Sequence, residues 1–201
     1  MNNSEKVIIE KFLNGREKRA EFIQGLCKKY EKTTICSRVN YPGIYKTNEV
    51  TTKITEVMEK ELINIFDSKI IYKLIDVTFE GPLVIMVVDE SVQRVKAEVI
   101  AIEENHPLGR TVDLDVYDEN GTSISRNDLG YKTRKCFICE KDAKLCVRSR
   151  AHDENQIKNY IEKVLIDFNK EWKHCIYIDI QAINLINEIY NLKDIIRISK
   201  I

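Results

Sequence analysis

Gly109-Arg110-Thr111-Val112-Asp113-Leu114-Asp115-Val116-Tyr117-Asp118 decides how this chain is read. On an extended strand, side chains alternate between faces. Val112, Leu114 and Val116 therefore point one way, where they can enter a core. Asp113, Asp115 and Tyr117 point the other way. The strand rise puts the two aspartates about 6–7 Å apart at their Cα atoms. Like charges at that spacing repel, and Asp is a poor strand former. A divalent cation offsets both costs, and Mg²⁺ prefers one or two carboxylates together with substrate phosphates. Enzymes that act on polyphosphates neutralise their substrates in this way. The competing reading is a solvated edge strand. Gly109 allows close backbone approach and Arg110 offers a planar fork for phosphate. Asp118 lies at the turn beyond the strand and reads as structural.

Working outward, residues 4–31 read as one or two helices, with Gly15 and Gly25 either weakening the helical pattern or marking breaks. Thr33–Val39 is β-branched and reads as a strand, followed by a turn at Tyr41-Pro42-Gly43. Residues 49–66 form a helix capped by Asn48. Ile71–Phe79 and Leu83–Val88 are strands, and the unbroken apolar run of the second predicts burial on both faces. Residues 91–104 return to helical period. Glu119-Asn120-Gly121 is a hairpin turn leading into a strand at Thr122–Arg126. Residues 127–151 are irregular and basic. Two amphipathic helices, 153–171 and 181–195, close the chain, with a short strand at Cys175–Ile180 between them. The pattern is α+β: a small mixed or antiparallel sheet flanked by helices. The simplest organisation is one catalytic domain over 1–201, with 127–152 as a small cysteine-rich subdomain.

The composition narrows the function. Lys+Arg and Asp+Glu are 32 each, so the chain lacks the basic surplus that bulk nucleic-acid binding requires. No apolar run reaches the roughly 18–20 residues that span a bilayer, and the charged N-terminus is unlike a signal peptide. The chain reads as cytoplasmic, and its six cysteines as thiols or metal ligands. Cys27, Cys36 and Cys175 read as core, and His174 has no evident partner.

Arg126 through Arg150 holds eight Lys/Arg against three Asp/Glu. That local surplus suits a multiply anionic ligand, with Arg126, Arg134, Arg148 and Arg150 as phosphate clamps; a solvated basic face is the alternative. Within it, Cys136, Cys139, Cys146 and His152 match a tetrahedral zinc set in ligand type. Buried thiols beside a free His152 are the alternative. His106 lies in a loop beside the aspartates.

These blocks together resemble one family, the citrate lyase holo-acyl-carrier-protein synthases, or apo-citrate lyase phosphoribosyl-dephospho-CoA transferases. His106-Pro107-Leu108-Gly109-Arg110 with Asp113-Leu114-Asp115-Val116 is similar to its H-x-L-G-R-x-x-D-x-D-V signature. Ile124-Ser125-Arg126 and Leu129-Gly130 resemble I-S-R-x-x-L-G. Arg134-Lys135-Cys136, Cys139, Ala143, Cys146 and Arg148-Ser149-Arg150-Ala151-His152 resemble R-K-C-x-x-C…A-x-x-C-x-R-S-R-A-H. Asn40, Pro42, Gly43 and Lys46 resemble N-x-P-G-x-x-K. The likeness covers roughly residues 10–170. Phe79-Glu80-Gly81-Pro82 departs from the family's T-G-P-E, so no role carries over to Glu80.

The resemblance implies a nucleotidyltransferase-like fold and activity. A serine of the acyl-carrier (gamma) subunit of citrate lyase would attack the innermost phosphorus of triphosphoribosyl-dephospho-CoA, releasing pyrophosphate. Asp113 and Asp115 would hold Mg²⁺, and Arg110 and Arg126 would clamp phosphate. Gly109, Asn40, Gly43 and Lys46 would line the donor pocket, Arg148 and Arg150 would bind substrate, whether donor or carrier, and either aspartate could take the serine proton. Two other readings stay open: a related transferase for another carrier, such as that of malonate decarboxylase, and a zinc-knuckle binding module without catalysis.

Overall fold

Leu83–Val88 is apolar at every position, and a strand of that kind is stable only with both faces covered. In the computed structural model, which describes residues 3–170, the corresponding strand is buried throughout. The chain divides into two units, Met1–Glu162 and Lys163–Ile201. The first holds the sheet and every candidate site residue. Of the second, residues 163–170 are helical. The expected strand at Cys175–Ile180 and helix at 181–195, with His174 and Cys175, lie outside the described residues.

The order of elements is α1 (Asn3–Tyr30), β1 (Thr33–Val39), α2 (Glu49–Phe66), β2 (Ile70–Thr78), β3 (Gly81–Val88), α3 (Val92–Asn105), β4 (Val112–Tyr117) and α4 (Ala143–Ser149). Residues 154–162 are also helical. The four strands form one open sheet, β2-β3-β1-β4, and every pairing is antiparallel. This is the α+β class expected. Gly15 and Gly25 do not break α1, which runs as one helix. Asn48 caps α2 as expected: its side chain accepts the Thr51 amide, and the Thr51 hydroxyl accepts the Asn48 amide.

Register decides which side chains share a face. Cys36 pairs with Ile85 and Asp115, Arg38 with Leu83 and Asp113, and Thr34 with Val87 and Tyr117. All of these point to one side. There α1 packs Ile23, Leu26 and Cys27 onto Cys36, Leu83, Ile85 and Val87. The other side carries Ile35, Val84, Met86, Leu114 and Val116 and is covered by α2 and α3 through Ile54, Met58, Leu62, Val95 and Val99. The aspartates therefore stand on the α1 side, at the edge strand.

That edge is closed by side chains. Glu103 Oε1 accepts the Leu114 amide at 3.1 Å, and Lys96 Nζ donates to the Leu114 carbonyl at 3.4 Å. This explains two buried charged residues and removes an open pairing edge. It also limits the expected strand at Thr122–Arg126, which shrinks to a single bridge between Tyr117 and Ser123 and an Ile124 amide bond to Val116. Asp118 has the expected turn role, its Oδ1 accepting the Asn120 and Thr122 amides. In the segment expected to be irregular, α4 forms behind Asp142, whose Oδ1 accepts the Lys144 and Leu145 amides.

Gly109 opens a 3₁₀ turn, Gly109–Thr111, directly before β4. A Cβ there would stand 2.0 Å from the Ile102 carbonyl oxygen and 3.0 Å from Glu103 backbone. Its bareness lets this turn pack on the end of α3. Gly109→Ala is expected to cost about 2–3 kcal/mol, since backbone must move to relieve the overlap. Chemical denaturation of the variant checks this, and a change below about 0.5 kcal/mol would contradict the packing account.

Candidate active site

Asp113 and Asp115 both emerge half-exposed, while Val112, Leu114 and Val116 between and beside them are buried. The alternation expected from the sequence is the alternation observed. What holds the carboxylates apart is a separate arginine on each. Arg38 of β1 donates from Nη2 to Asp115 Oδ2 at 3.0 Å. Arg134 donates from Nη1 to Asp113 Oδ1 at 2.9 Å. The repulsion that a cation was expected to offset is thus already reduced by two guanidinium groups. Burial pushes the Asp113 carboxyl above its ordinary range, Arg134 draws it back, and the charge on Asp115 adds to the rise.

Arg38 is itself held from behind. Its Nη1 donates to Glu80 Oε2 at 3.3 Å. Glu80, 5% exposed, also receives both prongs of Arg19 at 2.8 and 3.1 Å, with Arg16 3.7 Å away. Burial works to raise the Glu80 pKa, but these arginines outweigh it and the net shift is downward. Arg38 Nε is buried and without a hydrogen-bond partner among the described residues. Sequence reasoning missed Arg38 and gave Glu80 no part. The only local signal was an arginine on an inner strand, which must find an anion if its guanidinium is covered.

Arg134 has further partners, the carbonyls of Gly109 at 3.0 Å and Arg110 at 2.9 Å. Arg110 in turn donates to the Lys135 carbonyl. Arg126 is engaged by Glu103 and, at 2.7 Å, by Glu104. It thereby braces the residue that closes the β4 edge, instead of presenting a free fork. His106 Nδ1 accepts the Leu108 amide at 3.0 Å, which shapes the loop into the 3₁₀ turn.

On the approach to the pair, Asn40 extends the β1–β4 ladder by donating its amide to Thr111. Gly43 adopts φ +81°, where a Cβ would also meet Glu154 Oε2 at 2.9 Å. Lys46 Nζ donates to the Tyr41 carbonyl at 2.6 Å and lies 5.5 Å from the centre of the Phe12 ring. Burial, then the charge of Arg38, lowers the Lys46 pKa, while Glu80 and Asp113 oppose the shift. Arg148 and Arg150 are exposed near the end of α4 and form no ion pair among the described residues.

Cys136, Cys139, Cys146 and His152 converge, with all four ligand atoms within 4.8 Å of one another. Cys139 Sγ is 3.4 Å from Cys146 Sγ and 3.3 Å from His152 Nε2. The Ile138 amide points at Cys136 Sγ at 3.4 Å. A bond from the Lys141 amide, then one from Cys146, brings the Cys139 thiol down to about 7. This donor set could hold a metal ion. Cys27 and Cys36 are buried core thiols, as expected. Among the described residues, no helix is long and apolar enough to cross a membrane.

Comparison with known proteins adds to this geometry. The sequence model of a family described as apo-citrate lyase phosphoribosyl-dephospho-CoA transferase matches residues 7–168. A Streptococcus pyogenes serotype M18 (strain MGAS8232) protein named as a probable apo-citrate lyase phosphoribosyl-dephospho-CoA transferase is 34% identical over 175 residues, 84% of this chain and 91% of that protein. A Vibrio cholerae serotype O1 (strain ATCC 39541 / Classical Ogawa 395 / O395) protein of the same name is 29% identical over 168 residues, 81% of this chain and 94% of its own length. Protein CitXG of Leuconostoc mesenteroides subsp. cremoris is 32% identical over 170 residues; the match takes in 83% of this chain but 36% of that longer protein.

Proposed function

The chain belongs to the apo-citrate lyase phosphoribosyl-dephospho-CoA transferase family, and from this premise we propose that it attaches the phosphoribosyl-dephospho-CoA group to a serine of the apo acyl-carrier subunit of citrate lyase. The donor is the triphosphate, 2′-(5″-triphosphoribosyl)-3′-dephospho-CoA. The serine Oγ–phosphorus bond forms at the innermost phosphorus as the bond to pyrophosphate breaks. The serine proton passes to the carboxylate pair, either member of which can accept it.

The observation that carries this reading is the same-face pair of aspartates with one arginine on each. Arg38 and Arg134 engage Asp115 Oδ2 and Asp113 Oδ1, leaving one oxygen of each carboxylate without a hydrogen-bond partner among the described residues. Two such oxygens fit Mg²⁺, which takes one or two carboxylates and completes its shell with phosphate and water. A magnesium ion held by Asp113 and Asp115 would neutralise triphosphate charge and favour departure of pyrophosphate. Arg38 and Lys46 bring further positive charge to the same side. Arg110 stands at the entrance to β4, and Gly109 sets the turn that aims the strand. Asn40 and Gly43 shape the loop leading to Lys46. Arg126 acts through Glu103 on the position of β4. The exposed Arg148 and Arg150 suit an acidic carrier surface. Zinc is the metal we assign to the Cys₃His cluster, in a structural role, because a closed set of three thiols and one imidazole leaves no open position for chemistry.

The test is direct. The full chain is incubated with donor, Mg²⁺ and apo-carrier, and the carrier is weighed by mass spectrometry. We expect a gain of one phosphoribosyl-dephospho-CoA per carrier, abolished by chelating Mg²⁺ and by replacing the acceptor serine with alanine. A folded chain that adds no mass to this carrier would overturn the reading, and a parallel incubation with the malonate decarboxylase carrier tests the other acceptor.

A further inference from the structure

We infer that the Cys136–Cys139–Cys146–His152 cluster is a zinc clip whose loading holds Arg134 on Asp113, so that Arg134 is a positioning residue for the carboxylate pair. The catalytic meaning of that pair rests on the transferase reading; the clip itself does not.

The donors suit zinc. Soft thiolates with one imidazole, in a closed set of four, are the usual composition of a structural site. Their ligand atoms already lie within 4.8 Å of one another. The Ile138 amide bonded to Cys136 Sγ, the Cys136 amide bonded to the Lys141 carbonyl and the Lys135–Asp142 bridge form a tight knuckle around them. The helix that supplies Cys146 has little apolar support, since Leu145 and Val147 are 60% and 76% exposed. A fold element so poor in buried surface needs another source of stability, and a bound metal provides one.

Arg134 is fastened to this knuckle at both ends of its reach. It lies two residues before Cys136, and its carbonyl accepts the amide of Ala143, the first residue of α4, at 2.9 Å. Its guanidinium crosses to Asp113 Oδ1, Gly109 O and Arg110 O at 2.9–3.0 Å. Arg110 returns a bond to the Lys135 carbonyl, so the knuckle and the entrance to β4 are laced together. When the knuckle loosens, the backbone of Arg134 moves and the charge on Asp113 goes with it. Held in place, Arg134 fixes the Asp113 rotamer and keeps a positive charge beside any cation bound there.

This has a consequence that a merely structural role lacks. Without Arg134 at Asp113, a divalent cation meets one less positive charge, so it should bind more tightly in the absence of donor. The experiment uses the full chain as wild type, Cys139→Ser, Arg134→Gln and the double variant. Zinc is counted by elemental analysis. Mn²⁺ binding without donor is followed by electron paramagnetic resonance. Amide exchange is read over residues 109–113 and, as control, over 81–88. The wild type should carry about one zinc and Cys139→Ser less than about a tenth of that. Both single variants should bind Mn²⁺ about tenfold more tightly, and the double variant no more tightly than Arg134→Gln alone. Exchange should rise over 109–113 in both and stay unchanged over 81–88. Extracting zinc from the wild type should reproduce the Cys139→Ser result, and adding it back should reverse it. Arg134→Lys should restore wild-type Mn²⁺ affinity. A zinc-free wild type, weaker Mn²⁺ binding in both variants, or metal-free Cys139→Ser with wild-type exchange would each overturn the inference. If the wild type takes up no Mn²⁺, the magnesium role of the pair fails, and the exchange comparison alone decides the clip.

Discussion

Asp113→Asn and Asp115→Asn are each expected to lower the transfer rate at least 10²–10³-fold, roughly the loss seen when one group that stabilises developing charge is removed. Asparagine keeps the shape of the side chain and one oxygen, but not the negative charge that a cation and its triphosphate require. Both residues are half-exposed, so losing one ion pair should cost only about 1 kcal/mol of stability. The assay is carrier mass gain at saturating donor, with thermal melts run alongside. A variant that melts like wild type and transfers at the wild-type rate would end the metal role. The pH dependence carries a second signature. Asp113 must be ionised to act as ligand or proton acceptor, and burial raises its pKa. Activity at fixed Mg²⁺ should therefore fall as pH drops through that raised value, above the ordinary aspartate range near 3.9. Arg134→Gln removes the charge that draws Asp113 down, so the acid limb should move to higher pH.

What could be read in the sequence was what depends on near neighbours along the chain. The period-two pattern of 112–117 gave the faces of β4, because side-chain direction on a strand is set by the backbone alone. The apolar run at 83–88 announced a doubly covered strand for the same reason. The Cys₃His set is compact in sequence and close in space. Arg38 escaped because its partner Asp115 lies 77 residues away, and only strand pairing brings them together. The arginines at 126 and 134 were legible as basic, but their carboxylate partners on α3 and β4 were not. The strand expected at Thr122–Arg126 failed because the side chains of Lys96 and Glu103 occupy the edge it would have paired with. The short helix α4 was overlooked although Asp142 stood ready as its cap, since seven residues give too little period to recognise.

Glu80 shows how far such long-range pairing reaches into function, and Glu80→Gln is expected to cost about 3–5 kcal/mol of stability, the range for removing one partner of a buried ion pair. The carboxylate is almost fully covered and takes two bonds from Arg19, one from Arg38 and the charge of Arg16. Glutamine can accept from one of these guanidinium groups but cannot neutralise them, so buried positive charges would be left facing one another. For a domain of this size the melting temperature should fall by about 6–20 °C. The effect has a sign in pH. The Glu80 pKa is lower in the folded state than in the unfolded one. Its contribution is therefore present above the unfolded value near 4.3 and is lost as pH falls through the folded value. The gap between wild type and variant should accordingly narrow below about pH 4. Transfer should suffer too, because Arg38, released from Glu80, no longer has a fixed position from which to hold Asp115. Arg19→Gln in the Glu80→Gln background should add far less than it does alone, since the two residues form one network. A Glu80→Gln protein that unfolds within about 0.5 kcal/mol of wild type would mean that the arginines find water instead, and that Arg38 is aimed by the sheet and not by Glu80.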